Sequence, residues 1–254
     1  MSAAVSTAAR NHAPRSTTAR RWSPRHEPDQ LRILARYAAV DLSGASAPEI
    51  SRWAADVFGS RVVLTQSMAN TVLADLVSKE APSIDVVFLD TGYHFTETLE
   101  TRDRLAERTS LSIISITARR SVAEQDAEHG PDLWQRNPDL CCKLRKVEPM
   151  EESLLGYDAW ITGLRHQAAL HRKERKVVEF DEDRLVLKIS PLLHWSDEAL
   201  LRYTLENDVI VNPLIYQGFP SIGCAPCTRR VDPGEDTRAG RWSGSGKTEC
   251  GLHI

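Results

Sequence analysis

Arg61-Val62-Val63-Leu64-Thr65-Gln66-Ser67-Met68-Ala69-Asn70-Thr71-Val72-Leu73-Ala74-Asp75-Leu76-Val77 is the stretch that decides the fold. It opens with an apolar, β-branched run of strand length, and it closes with Val72, Leu73, Leu76 and Val77 sharing one face of a helix. A short polar loop joins the two. The same order recurs downstream: the apolar run Asp85 to Leu89, the loop Asp90-Thr91-Gly92-Tyr93-His94-Phe95 and a helix over Thr96 to Arg108. A third strand, Ser112 to Ile116, precedes Ser121-Val122-Ala123-Glu124, which has capping-box spacing. Strands alternating with helices predict an α/β fold, a mostly parallel twisted sheet with helices on both faces. In such folds ligands bind outside the carboxyl ends of the strands, where both loops fall.

Outward from this frame, Leu31 to Val40 and Ala47 to Phe58 carry helical apolar spacing, with Pro48 and Glu49 suited to a helix start. Asn137 to Lys146 opens another helix, and Ala159 to Thr162 reads as a strand followed by a basic loop from Gly163 to Lys176. Val177 to Phe180 and Leu185 to Ile189 predict a hairpin at the sheet edge, and Ser196 caps a helix reaching Asn207. Beyond Asn212 the chain is rich in Gly, Pro and Arg.

The chain has 254 residues, 41% hydrophobic and 26% charged, enough for one large α/β domain or two small ones. A net charge of -3 gives no general reason to expect nucleic acid. No apolar run approaches the roughly 20 residues a membrane helix needs. Arg10, Arg15, Arg20, Arg21 and Arg25 precede the first acidic residue, Glu27. Residues 1–28 are therefore expected to be a disordered tail, with an organellar transit peptide as the alternative. The expected divisions are this tail, a domain over 29–230 and a mobile C-terminal tail over 231–254.

Five cysteines punctuate the chain: adjacent Cys141 and Cys142, Cys224 and Cys227 in C-x-x-C spacing, and Cys250. With no secretory apolar segment, a reducing cytoplasm is expected, where clustered cysteines bind metal or do redox work more often than they form structural disulfides. Two distant pairs of thiolates can hold zinc, a 4Fe-4S cluster, or nothing. A single zinc ion draws four sulfurs to about 2.3 Å from one centre, which adjacent cysteines on a helix satisfy poorly. A cubane gives each sulfur its own iron and tolerates a wider spread. Taken singly, Cys224-Ala225-Pro226-Cys227 also reads as a redox dithiol, and Cys141-Cys142 as two buried thiols or a vicinal disulfide. Together they favour a cluster.

One thiol is left over. Cys250 lies among Gly244, Gly246 and Gly251, with His253 three residues on, and it reads as a nucleophile. A group that enters a closed site and then presents its adduct to a second protein needs such freedom. The thiolate is the reactive form and nearby cations favour it; Lys247, His253, Arg238 and Arg241 are the candidates. The bland alternative is a stray exposed thiol.

Six segments together resemble the assimilatory adenylyl-sulfate reductases, thioredoxin-dependent enzymes of bacterial sulfate assimilation. They are Cys141-Cys142-Lys143-Leu144-Arg145-Lys146, Leu89-Asp90-Thr91-Gly92-Tyr93-His94, Thr162-Gly163-Leu164-Arg165, Ser221-Ile222-Gly223-Cys224-Ala225-Pro226-Cys227-Thr228, Arg238-Ala239-Gly240-Arg241-Trp242 and Glu249-Cys250-Gly251-Leu252-His253. The likeness runs from about Leu31 to the end. It implies a fold of the adenine-nucleotide α-hydrolase type, a 4Fe-4S cluster on Cys141, Cys142, Cys224 and Cys227, and Cys250 as the attacking thiol. In this family the cluster is not thought to carry electrons; it sits near the sulfate and tunes the site. The resemblance also implies adenosine 5'-phosphosulfate as substrate and thioredoxin as partner, and it leaves homo-oligomer formation open. Lys146, Arg238 and Arg241 would surround the sulfate, Arg165 would reach the nucleotide phosphate, and His253 would lie near the docking point of the tail. Asp90, Gly92 and Ser67 complete the expected substrate contacts.

One departure stands out. Related enzymes carry a Gly-rich Ser-Gly-Gly loop after the first strand, whose N–H groups cradle phosphate. Here Gln66-Ser67-Met68-Ala69-Asn70-Thr71 has no glycine, so a wider cradle, or one built from the Ser67 hydroxyl and a helix N-terminus, is expected; Asn70 also reads as an N-cap. The rival readings are a reductase of the 3'-phosphorylated substrate or of both, a non-catalytic iron-sulfur or zinc sensor, and a tRNA thiolase. The last needs a pyrophosphate loop that this chain lacks.

Overall fold

The structure is a computed structural model that describes residues 26–166, 174–247 and 249–252. The proposed N-terminal tail, apart from its last three residues, lies outside the described residues, as does His253.

Six strands form one sheet: β1 (Val62–Thr65), β2 (Asp85–Asp90), β3 (Ser112–Thr117), β4 (Ala159–Ile161), β5 (Val178–Asp181) and β6 (Val186–Ile189), in the order β3-β2-β1-β4-β6-β5. All neighbours run parallel except β5 and β6, the expected edge hairpin. The order reverses at β1, which has β2 on one side and β4 on the other. The chain thus crosses from one half of the sheet to the other beside β1, and a crevice opens outside the carboxyl ends of these strands.

Local signals set most helix boundaries. In α1 (Pro28–Asp41) and α2 (Ala47–Phe58), Pro stands in the first turn and a capping box closes the start. α3 (Val72–Glu80) and α4 (Thr96–Arg108) follow β1 and β2, and α5 (Val122–His129) is closed by the Ser121–Glu124 box. The short α6 (Leu133–Arg136) leads into α7 (Pro138–Cys142), where Asn137 accepts from Leu140 N. α8 (Glu148–Leu154) follows, and α9 (Asp197–Glu206) starts at Ser196, whose hydroxyl accepts from Ala199 N at 3.1 Å.

The two sheet faces are unequal. One carries Val62, Leu64, Val86, Phe88, Ile161, Leu187 and Ile189 into a large core with α1, α2 and α3. The other carries Val63, Val87, Trp160 and Val186 against Met150 and Leu154 of α8, with Leu252 of the tail beside them. Alternation along each strand sends every second residue to each face.

Candidate active site

The cleft occupies about 360 Å³ and is lined by the loops after β1, β2 and β4 and by the C-terminal segment. After β1 the chain turns through Met68, which takes a left-handed backbone at φ 61 with its side chain fully buried. The sharp turn that glycine ordinarily supplies is thus made by a residue whose side chain anchors the loop in the core. Segment 210–212 braces it: Asn212 N donates to Ala69 O at 3.1 Å, and Asn212 Nδ2 donates to Met68 O at 3.3 Å. Ser67 is left exposed on the cleft wall. Asn70 also lines the cleft, and its Oδ1 accepts from Val72 N at 3.3 Å; the cap position expected for it falls to Thr71, so Asn70 turns the chain one residue before the helix.

Asp90 and Gly92 do not join the cleft lining, in contrast to the expectation from sequence. Leu89, Thr91 and His94 line it from this loop instead. The Asp90 carboxylate accepts from Gly92 N at 3.0 Å and faces Arg102. Gly92 has φ +73, and a Cβ there would stand 2.9 Å from an Arg145 guanidinium nitrogen. Both residues shape the loop.

That loop is joined to the cysteines. Arg145 Nε donates to Thr91 O, and its Nη1 reaches Arg120 O and Gln125 Oε1, each at 3.2 Å. Thr91 Oγ1 lies 3.3 Å from Cys224 Sγ, and Ala225 N donates to Tyr93 O at 2.7 Å. Cys141, Cys142, Cys224 and Cys227 line one small cavity with Tyr93, Trp134, Pro138, Arg145 and Lys146. None of the five cysteines is in a disulfide. Burial, then the neighbouring Cys142, Cys224 and Cys227, push the Cys141 thiol up to about 12. Burial and then Cys224 push Cys227 to about 11. Among the described residues no three His, Cys, Asp or Glu side chains converge as a single-ion site.

Between α7 and α8 the helix widens into a π-turn over Lys143–Val147, which sequence reasoning did not detect. It aims Arg145 and Lys146 inward. Lys146 is 9% exposed. Burial works to lower its pKa, while the sulfurs of Cys224, Cys142 and Cys250 work to raise it, and the net direction is upward. Arg241 closes over Gly223, where a Cβ would lie 2.2 Å from its guanidinium, so only glycine allows this approach. Its Nη1 holds Ser221 Oγ at 3.2 Å and Ile222 O at 3.3 Å. Its Nε is buried without a partner among the described residues. Burial and then Arg238 lower its pKa, against the thiols of Cys250, Cys224 and Cys227.

The C-terminal segment is built into the site. Arg229 N donates to Gly240 O, and Thr228 and Arg241 form an isolated bridge, so the packed body continues through Trp242, past the expected boundary at 230. Past Trp242, Lys247 pairs with Asp139, Arg238 pairs with Glu249 at 3.2 Å, and Leu252 enters the smaller apolar cluster. Cys250 lines the cleft with Lys146, Arg238 and Arg241. Arg165 also lines the cleft, held by Asp197 at 2.7 Å and by Trp195 O. His94 is a further wall residue that sequence reasoning passed over: Nε2 lies 2.8 Å from Leu89 O, the ring stacks on Phe88, and burial lowers its pKa. Only its place in a quoted motif pointed to it.

Residues 61–230 match the phosphoadenosine phosphosulfate reductase domain. This chain belongs to that family. It is 54% identical to adenosine 5'-phosphosulfate reductase of Streptomyces coelicolor, over 89% of this chain and 95% of that one. It is 45% identical to adenosine 5'-phosphosulfate reductase of Mycolicibacterium smegmatis, over 89% and 96%. The crystal structure of phosphoadenylyl-sulfate (PAPS) reductase from Candida auris, a phosphate complex, superposes with a TM-score of 0.66 at 32% identity and covers 78% of this chain and 96% of its own. FMN adenylyltransferase from Candida glabrata, with FMN and an ATP analogue, shares the fold alone: TM-score 0.52, 13% identity, 83% and 80% covered. The family match accounts for the α/β fold and for the nucleotide-sized crevice beside β1. Among the described residues no helix is long and apolar enough to cross a membrane.

Proposed function

We propose that this member of the phosphoadenosine phosphosulfate reductase family reduces adenosine 5'-phosphosulfate to sulfite and AMP in sulfate assimilation, with thioredoxin as the electron donor. One observation carries the reading: Cys250 shares a cleft at the carboxyl ends of the strands with the buried Lys146 and the half-buried Arg241, beside four further cysteines. The names of the relatives support the 5'-phosphosulfate as substrate.

The chemistry follows from the groups present. An anionic nucleophile approaching an anionic sulfuryl group is opposed by charge, and Lys146, Arg238 and Arg241 offset that opposition. The Cys250 thiolate attacks the sulfur, the bond from sulfur to the bridging oxygen breaks, and AMP leaves with the electron pair. The chain then holds a cysteine S-sulfonate. A thioredoxin thiolate attacks the Cys250 sulfur and expels sulfite, and a second thioredoxin thiol resolves the mixed disulfide. Two electrons pass from the dithiol to the sulfur, and Cys250 is restored.

The four remaining cysteines fit a 4Fe-4S cluster by the chemistry of the donor set. Four thiols face one cavity, and among the described residues they do not converge as a single-ion site and no carboxylate lines the cavity. When bound, the cluster would supply a fixed inorganic charge centre near the sulfate. Substrate added without thioredoxin should leave one sulfonate on the peptide containing Cys250, detected by mass spectrometry. Cys250→Ser should abolish both that adduct and sulfite release while iron content is kept; sulfite release by this variant would refute the covalent step. Faster turnover of the 3'-phosphorylated substrate would select the alternative.

A further inference from the structure

Trp242 stands at the root of the segment that carries Cys250, and three cations gather at its ring, two from this segment and one from the turn between α7 and α8. The Arg241 guanidinium carbon lies 4.4 Å from the ring centroid, and the ammonium groups of Lys146 and Lys247 each lie 5.8 Å away. All are inside the roughly 6 Å over which an indole face attracts a cation, and indole is the strongest aromatic in this role. The ring is 4% exposed and lines the cleft, so solvent does little to screen it. Its backbone is fixed as well: Trp242 N donates to Cys227 O at 3.0 Å, and φ is +47.

Three cations crowded together repel, and carboxylates are the usual remedy. Lys247 has Asp139 and Arg238 has Glu249, but among the described residues neither Lys146 nor Arg241 forms an ion pair with a carboxylate. A carboxylate there would neutralise the charge an anionic substrate needs and would occupy the donors of both side chains. An aromatic face does neither: it attracts the cations through its quadrupole, carries no charge that cancels theirs and takes none of the hydrogen bonds a carboxylate would accept.

We propose that Trp242 is a positioning residue for the sulfuryl-transfer step, its indole face gathering Lys146, Arg241 and Lys247 into one positive surface beside Cys250 before substrate arrives. This rests on the function proposed above and assigns a residue that the reading left as part of a motif.

The test is single-turnover formation of the Cys250 S-sulfonate from adenosine 5'-phosphosulfate, without thioredoxin, in the full chain with iron measured for every variant. Trp242→Leu should lower the rate at saturating substrate about tenfold, and Trp242→Phe should recover part of the loss. Tryptophans carrying one to four ring fluorines, placed at position 242 alone, should slow the step progressively, since fluorine drains the ring face and barely changes its size. That series decides the matter even where the leucine variant fails to fold. A flat fluorine series, or a leucine variant as fast as the wild type, overturns the positioning role. A wild-type chain that forms no adduct overturns the functional reading and this role with it.

Discussion

Gly92 illustrates how a motif residue can be fixed by the backbone alone. Its φ of +73 lies in the region L side chains avoid, and Arg145 fills the space where a side chain would begin. Gly92→Ala should therefore destabilise the fold by about 1–2 kcal/mol, the usual penalty for a left-handed alanine. Urea denaturation of the two proteins measures the loss. An unmoved midpoint together with a raised KM for the sulfate donor would return Gly92 to the substrate-binding set. Met68 shows the opposite case, since it adopts a left-handed turn without being glycine because its side chain is fully buried. The loop's missing glycine was legible; the residue that would replace it was not, because its burial depends on contacts distant in sequence.

Among the elements, the C-terminal segment is held by two ion pairs of different character. The Lys247–Asp139 pair joins a largely buried lysine to a carboxylate 82% exposed, whereas Glu249 is only 12% exposed where it meets Arg238. Breaking an exposed pair costs roughly 0–1 kcal/mol, and removing one partner of a more buried pair costs more, because the other charge is left unpaired. Glu249→Gln should therefore speed alkylation of Cys250 by iodoacetamide more than Asp139→Asn does, read as peptide modification over time without substrate. Equal rates in wild type and both variants would mean that neither pair restrains the segment. The elements themselves were largely readable in advance. Pro48 and Glu49, Ser121 and Ser196 mark helix starts by local geometry and hydrogen bonding, and short apolar runs mark the strands, which have three to six residues. The π-turn at Lys143–Val147 and the cations around Trp242 were not readable, because both arise where distant segments meet.

At the scale of the whole molecule, the two sheet faces differ in polarity, and Lys188 is the clearest sign of that. It falls with Val186 on the face of the smaller apolar cluster, sits over Trp160 at 5.3 Å and is 4% exposed. Burial, and then Arg175, lower its pKa to about 8 from an ordinary 10.5. Between those values the unfolded chain binds more protons than the folded one, so this group makes stability rise with pH from about 8 to 10.5. Below about pH 8 the lysine is charged in both states, and the cost of burying it is felt in full. Lys188→Met keeps the aliphatic length and removes the charge, so it should stabilise the protein at pH 7 by about 1–3 kcal/mol. The advantage over wild type should shrink towards zero by pH 10. Urea denaturation of both proteins at pH 7 and pH 10 gives the difference directly, and a methionine variant less stable than wild type at pH 7 would show that Trp160 and the carboxylates of Asp181 and Glu179, which favour the charged lysine, more than compensate for its burial.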